Sequence, residues 1–417
     1  MTLALVAASF IPARAQSQEY GTGTRNLSQV GHLSLGTMVR ADAAAFLVDV
    51  RLDQRPDRPY AYVVEQSGWA VVDLSDPAMP RIAAIMSADH VANQGRVLSS
   101  IDYLHVERKD VIVVGRAGRL SVFDASGLPN GQKPIEVASI DGEFRSLFAY
   151  KHSSGKALLI ASSGGNAGVY DAARLVAGDG TPLAEIPTPE LPDSTFGYSS
   201  VLAAFHADSD SDRFYGAGAG GYHVYDITNL DSVKYVTSAN PAAVRRGLSV
   251  SPSPDGRFLV TTAAYRTAPV RIFDLNPAFE GKFQTVRTSV GAWADNWHGF
   301  HLDHETRWPY VFVAAAEQGL QIFNTRDVSD PYPVGSFSTS QRGNGTVNDR
   351  PDEVGGAVSL DIRNHDGLIA VGDQQTGVWF LKLDGFSNWD GRGWGYPNIS
   401  SEQDWDNGPN GSSTFDQ

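Results

Sequence analysis

The chain has 417 residues and a formal charge of −14, from 33 Lys and Arg against 47 Asp and Glu. Phosphate backbones and anionic membrane surfaces repel so acidic a chain, which argues against a nucleic-acid partner. The absence of cysteine rules out disulfides, thiolate metal sites and a cysteine nucleophile, and no apolar run reaches the roughly 18 residues of a membrane-spanning helix.

The N-terminus reads MTLALVAASFIPARAQ. An apolar run from Leu3 to Ile11, then Ala13-Arg14-Ala15, matches a signal peptide over residues 1–15 with cleavage before Gln16. The basic residues that open most such peptides are missing, and a buried N-terminal strand is the other reading. A lead over 16–29 follows, and the expected address is secreted, extracellular. N-x-S/T triplets at Asn26, Asn344, Asn398 and Asn410 are candidate glycan sites there, as in a glycoprotein.

From residue 30 to 385 a unit of about 50 residues recurs, the period of a propeller blade. Its marker is a short apolar run ending in Asp. The runs are GWAVVD at Asp73, LSVFD at Asp124, AGVYD at Asp171, YHVYD at Asp226 and VRIFD at Asp274, then LQIFN at Asn324 and VWFLK at Lys382. Alternating apolar and polar positions, rich in β-branched and aromatic residues, predict strands. The first unit divides into FLVDVRLDQ, PYAYVVEQ, WAVVDLSD and PRIAAIMS. The sixth divides into WHGFHLDHE, WPYVFVAAA, GLQIFNTRD and YPVGSFSTS. The seventh has three strands and no fourth, and VGHLSLGT at 30–37 resembles the outer strand VGSFSTS at 334–340. The expected fold is all-β: a seven-bladed β-propeller, four antiparallel strands per blade, closed by an N-terminal strand that completes the last blade. A polar tail over 386–417, with Trp389, Trp394 and Trp405, breaks the repeat.

The segments AYVVEQSGWAVVDLSDPAMPRIAAI and VFVAAAEQGLQIFNTRDVSDPYPVGSF resemble the LVIVD-repeat β-propeller family. That family's repeat pairs a Tyr-Ala-Tyr-Val-like strand with a Gly-led strand ending in Asp, then Ser-Asp-Pro-x-x-Pro. The other units match only the third-strand pattern. The resemblance implies a secreted or surface-exposed propeller and implies little about chemistry.

Strand order sorts the polar residues by face. The repeated Asp falls in the turn after strand three, where a carboxylate takes backbone N–H groups. His105, His152, His206, His304 and His365 each precede strand two, so they read as repeat features. On the other face lie residues that do not repeat: Arg40, Arg116, Arg145, Arg246 and Trp297, joined by Tyr265, Glu317 and Asp373. Arg40, Arg116, Arg145, Arg246, Glu317, Asp373 and Trp297 are the candidate ligand-binding residues at one mouth of the channel.

Asp295, His298, His301 and His304 do not make a ready metal site, because strand side chains alternate and His298 and His304 stand about 20 Å apart. No G-x-S-x-G elbow or haem-attachment motif is present, and the glycine runs fall in turns, so no metal and no cofactor is expected. Guanidinium groups bind carboxylate or sulfate in bidentate fashion, and Trp297 and Tyr265 could stack on sugar rings. The sequence therefore reads as a binding or interaction module for an anionic saccharide or an extracellular protein partner. The alternative is an extracellular lyase or hydrolase of acidic carbohydrate, with His298 and Tyr265 as its catalytic groups.

Overall fold

A computed structural model of the chain describes residues 25–34, 47–65, 68–87, 98–188, 197–206, 209–242, 244–265, 268–282, 284–293, 302–339 and 356–387. The expected signal peptide, most of the lead and the tail beyond 387 lie outside the described residues.

Strand β1 (Leu27–Leu33) comes first, then a sheet of β2 (Leu47–Leu52), β3 (Tyr60–Glu65), β4 (Gly68–Asp73) and β5 (Arg81–Ser87). The second and third repeat units share one six-stranded sheet: β6 (Leu98–Val106), β7 (Lys109–Asp124), β8 (Ile135–Lys151), β9 (Ala157–Ser163), β10 (Asn166–Asp171) and β11 (Ala184–Pro187). The fourth unit holds β12 (Tyr198–His206), β13 (Ser211–Gly218), β14 (Gly221–Asp226) and β15 (Lys234–Ala239). The fifth holds β16 (Gly247–Pro252), β17 (Phe258–Ala263) and β18 (Val270–Asp274). The short β19 (Thr285–Val286) runs parallel to β15, and β20 (Gly291–Trp293) completes the fifth sheet. The sixth sheet is β21 (Asp303–Arg307), β22 (Tyr310–Ala314), β23 (Leu320–Asn324) and β24 (Tyr332–Phe337). The last is β25 (Ala357–Ile362), β26 (Ile369–Asp373) and β27 (Gly377–Leu383), with β1 antiparallel to β27 as its fourth strand. The fold is thus all-β, made of antiparallel sheets that are mostly four-stranded, an arrangement consistent with a propeller-like fold. Among the described residues two short α-helices interrupt it, α1 (Ala172–Val176) and α2 (Asn276–Phe279).

These segments form strands because both faces of each sheet are covered. In β3, Tyr62 and Val64 pack with Ile101 and Val113 of the second unit, whereas Ala61 and Val63 pack with Ala370 and Phe380 of the seventh. A side-chain period of two therefore serves two separate cores. Each fully buried Val or Tyr stabilises by roughly 1.5–3 kcal/mol. Close approach between units also selects glycine: a Cβ on Gly31 would lie 2.1 Å from the Pro77 carbonyl oxygen, inside the Ser-Asp-Pro turn of the first unit.

The boundaries differ from the sequence reading in places. The strand expected over 30–37 runs Leu27–Leu33, and Arg25 bridges to Ser336, so part of the expected lead belongs to the sheets. Phe386, placed in the tail, is 7% exposed and packs on Phe312. β8 is continuous across Asp141–Arg145, serving as outer strand of one unit and first strand of the next, where two separate strands were expected.

The turn after strand three behaves as expected. Asp73 accepts the Ser75 N–H at 2.8 Å, and Asp124, Asp171, Asp226 and Asp274 accept the N–H two residues on at 2.9–3.0 Å. Asn324 does the same through its amide oxygen at 2.9 Å, which explains why Asn substitutes for Asp there. In the third unit Asp171 caps α1 by this means.

A second repeat of polar contacts joins the first strands of successive units. Asp49 accepts the Ser100 hydroxyl at 3.0 Å and the Ile101 N–H at 3.1 Å, while its other oxygen accepts the Ser359 hydroxyl at 2.8 Å. Asp102 accepts the Ala149 N–H at 2.7 Å, Ser146 accepts the Val201 N–H at 3.2 Å, and Asp361 accepts the Leu52 N–H at 2.6 Å. The Ser249 hydroxyl donates to Asp303 at 3.2 Å. Arg307, 2% exposed at its side chain, donates to the Ile362 carbonyl at 3.1 Å and pairs with Glu305 at 3.0 Å.

Four of the five histidines, His105, His152, His206 and His365, tie neighbouring units together at the opposite end of the sheets, whereas His304 lies beside Asp303 at the start of β21 and reaches the fifth unit from there. His152 donates from Nε2 to the Ile227 carbonyl at 3.0 Å, and His304 from Nε2 to Val260 at 3.1 Å. His365 meets the Gln54 carbonyl at 3.2 Å, and His105 meets Arg55 at 3.1 Å and Asp110 at 2.8 Å. His206 donates from Nδ1 to Pro254 at 3.1 Å and accepts the Tyr215 hydroxyl at Nε2 at 2.6 Å, so it is held neutral. Burial, helped by the Arg213 charge, lowers its pKa to about 3. Burial also lowers the pKa of His223 and His365.

Two stability predictions follow from these contacts. Asp49→Ala strands the Ile101 N–H and two hydroxyls, and is expected to cost about 2–4 kcal/mol in urea unfolding, with Asp49→Asn costing less because an amide oxygen remains. As pH falls below 6.5 the unfolded chain protonates its histidines while folded His206 resists until about 3. Stability should therefore fall through that window by up to about 1.4 kcal/mol per pH unit from this group. His206→Asn should show a shallower acid slope in unfolding titrations, and an unchanged slope would refute this assignment.

Candidate functional site

Strand register defines one end of every sheet. At the start of the first strand, Leu47 pairs with Glu65, Leu98 with Arg116, Tyr198 with Gly218, Gly247 with Ala263 and Ala357 with Asp373. A bulge follows at once in each of these pairs, between Leu47/Asp49, Leu98/Ser100, Tyr198/Ser200, Gly247/Ser249 and Ala357/Ser359. Asp49, Ser100, Ser249 and Ser359, each just past its bulge, carry the contacts between units. Sequence reading missed this belt, although a small polar residue opens each of these strands.

The described candidate residues all fall at or beside this end. Arg116 ends the first limb of β7 and is half-buried. Arg145 is exposed, inside the irregular register of β8 between Phe144 and Leu147. Arg246 is exposed, bridges to Ala219 and donates from Nε to the Ser199 hydroxyl at 3.2 Å. Tyr265 lies two residues past β17, and its hydroxyl accepts from Arg271 at 2.8 Å. Glu317 is exposed in the turn between β22 and β23. Asp373 is 1% exposed and closes its own turn: one oxygen accepts the Gln375 and Thr376 N–H groups at 2.8 and 2.9 Å, the other the Thr339 hydroxyl at 2.5 Å. Arg40, Trp297 and His298 lie outside the described residues, as do Asp295 and His301.

Glu65 differs from the other acids at this end. It is 1% exposed, and neither carboxyl oxygen has a hydrogen-bond partner. Burial pushes its pKa up to about 7. Within the belt, burial raises Asp303 to about 6, the Arg51 charge opposing the shift and the neighbouring Asp49 adding to it.

The opposite end is polar but internally satisfied. Asp53, fully buried, accepts from Arg58 at 3.0 Å and from the Tyr62 hydroxyl at 2.6 Å. Burial alone would raise Asp110, but its His105 hydrogen bond and the charges of Arg58 and Arg55 hold its pKa low. A cleft of about 250 Å³ opens there between the third and fourth units, lined by His152, Ser154, Lys156, Asn229 and Asp231 among others. His152 is committed on both nitrogens, to Ser154 at 2.8 Å and to Ile227. Among the described residues, no group of three or more His, Asp or Glu side chains could hold a metal ion. No helix among them is long and apolar enough to cross a membrane.

No protein-family model matches this sequence, and neither does any curated protein. Among solved structures the fold is similar to that in the crystal structure of Chaetomium thermophilum Raptor. The TM-score is 0.58 at 11% identity, over 88% of this chain and 30% of that one. The chain thus spans about a third of Raptor's length, and at this identity the likeness is one of fold alone.

Proposed function

We propose that the chain is a secreted, closed seven-bladed β-propeller of the LVIVD-repeat kind, working as a binding module for an anionic saccharide at the arginine-bearing mouth of its channel. Ring closure is supported by Asp49, which bonds Ser100 of the second unit and Ser359 of the seventh, and by the pairing of β1 with β27. Secretion rests on the apolar N-terminal run and its Ala-Arg-Ala pattern.

One observation carries the binding reading. Arg116, Arg145 and Arg246 come from different units yet fall at the same end of their sheets, and each occupies a different position in the repeat. Residues demanded by the repeat recur at the same place in successive units; these arginines do not recur. On a ring their guanidinium groups face a common mouth, where carboxylate or sulfate can be held by paired N–H donors. Arg145 and Arg246 are exposed, so their removal spares the core.

The test is a glycan array of uronate-bearing, sulfated and neutral saccharides. Selective binding of acidic glycans is expected, weakened at least tenfold by Arg145→Ala or Arg246→Ala with thermal stability retained. Equal binding of neutral glycans, or unaltered affinity in both variants, would overturn the reading. Unsaturated products absorbing in the ultraviolet and lost in His298→Ala would replace it with the lyase.

A further inference from the structure

We propose that Ser154, His152 and Asp212 form a nucleophilic site that hydrolyses small neutral esters in the cleft between the third and fourth units. This cleft lies at the opposite end of the sheets from the arginine-bearing mouth, so the activity does not depend on saccharide binding.

The three side chains form a relay. The Ser154 hydroxyl lies 2.8 Å from His152 Nδ1, and His152 Nε2 lies 3.3 Å from an Asp212 carboxylate oxygen. Nε2 also meets the Ile227 carbonyl at 3.0 Å. Asp212 accepts on both oxygens: one takes the Tyr150 hydroxyl and the Ser153 N–H at 3.0 Å, the other the Ser153 hydroxyl at 2.5 Å. With only acceptors beside it, Nε2 carries the ring proton, and Nδ1 is the acceptor for the Ser154 hydroxyl. That is the tautomer a general base toward serine requires. The two ring nitrogens exchange the places they hold in the chymotrypsin triad, but the roles of nucleophile, base and orienting carboxylate are the same.

Access divides as such a site needs. His152 and Asp212 are 2% and 0% exposed, so the base is held in place, whereas Ser154 is exposed. The cleft of about 250 Å³ opens on Ser154 and His152, with Lys156, Leu183, Asn229 and Leu230 among its other walls. Leu183 and Leu230 are half-buried and offer apolar surface to a short acyl or alkyl chain. The Lys156 ammonium and the Asn229 amide are the donors available to a developing oxyanion. The repeat does not call for Ser154: the residues two places after His105, His206 and His365 are Glu107, Asp208 and Gly367. An ester carbonyl displaces none of the bonds made by Asp212, which keep the base oriented.

Ser154 Oγ attacks the ester carbonyl carbon as its proton passes to His152 Nδ1, and the imidazolium is stabilised by Asp212. Collapse of the tetrahedral intermediate breaks the bond to the alcohol oxygen, which takes the proton from Nδ1. Water then attacks the acyl-serine, giving a proton to Nδ1 that returns to Ser154 Oγ as the acid leaves. One ester and one water become one acid and one alcohol.

The test treats the full chain with a fluorophosphonate, locates the adduct by peptide mass spectrometry, and follows hydrolysis of p-nitrophenyl acetate and butyrate. A single adduct at Ser154 is expected, together with a loss of turnover of about a hundredfold or more in Ser154→Ala. Because Ser154 is exposed, that variant should keep the wild-type thermal midpoint. No adduct, an adduct on another residue, or unaltered turnover in Ser154→Ala overturns the proposal and leaves the saccharide reading standing. If Ser154→Ala does not fold, the position of the adduct on wild type decides alone.

Discussion

The sheets are held to one another by buried acceptors that satisfy a neighbour's backbone. A first strand packed against another first strand, not paired with it, has N–H groups with no ladder partner. Leaving such a group buried and unmatched costs about 1–3 kcal/mol. Asp49, Asp102 and Asp361 meet that need by accepting an N–H from the adjacent unit, each also taking the N–H of its own next residue at 2.7–2.9 Å. Apolar contact fills the space between sheets but does not fix their relative height. A carboxylate with two N–H donors on different units does, because a shift of one residue would break both bonds.

How legible a feature was in the sequence depended on whether its cause was local. The turn after strand three is local: the carboxylate of Asp73 and the N–H it binds are two residues apart, so the motif shows its own function. The same is true of strand alternation in YAYVVE, where both parities are apolar because both faces are covered. The continuity of β8 was not legible, because the irregular pairing around Gly142–Arg145 is decided by what β7 and β9 offer on either side. The histidines were read as repeat features, and each meets an acceptor or donor in an adjacent unit, a contact separated from it by 44 to 75 residues in the cases of His304, His206 and His152, although His304 sits at the start of its strand and the others at the far end.

The candidate site was legible to the level of sheet end and no further. Glu65-Gln66, Glu317-Gln318 and Asp373-Gln374 are near-identical pairs at the same end of their sheets, yet the three acids meet three different fates. Glu317 is exposed, Asp373 is consumed by its turn, and Glu65 is buried without a partner. The difference between the last two lies in one methylene and one hydroxyl. Aspartate is short enough to fold back onto the N–H two residues on, and Thr339 supplies the second contact. The segment before Glu65 that aligns with β24 and its flank has Leu35 where Thr339 stands.

The two ends of the sheets therefore differ in chemical readiness. At the end carrying the strand-three turns, carboxylates are used internally: Asp73, Asp124, Asp226 and Asp274 close turns, and Asp53, Asp110 and Asp212 grip arginine, tyrosine or serine of the same or neighbouring units. A ligand approaching there competes with bonds already made. At the other end the belt just inside the bulges takes the acidic and hydroxyl groups, while Arg145 and Arg246 stand outside it, exposed. A net charge of −14 opposes anion approach in general, so the proposed anion site depends on exposed cations such as Arg145. On the proposed ring such cations would meet at the mouth, and the units that carry them share nothing there except the end of the sheet they occupy.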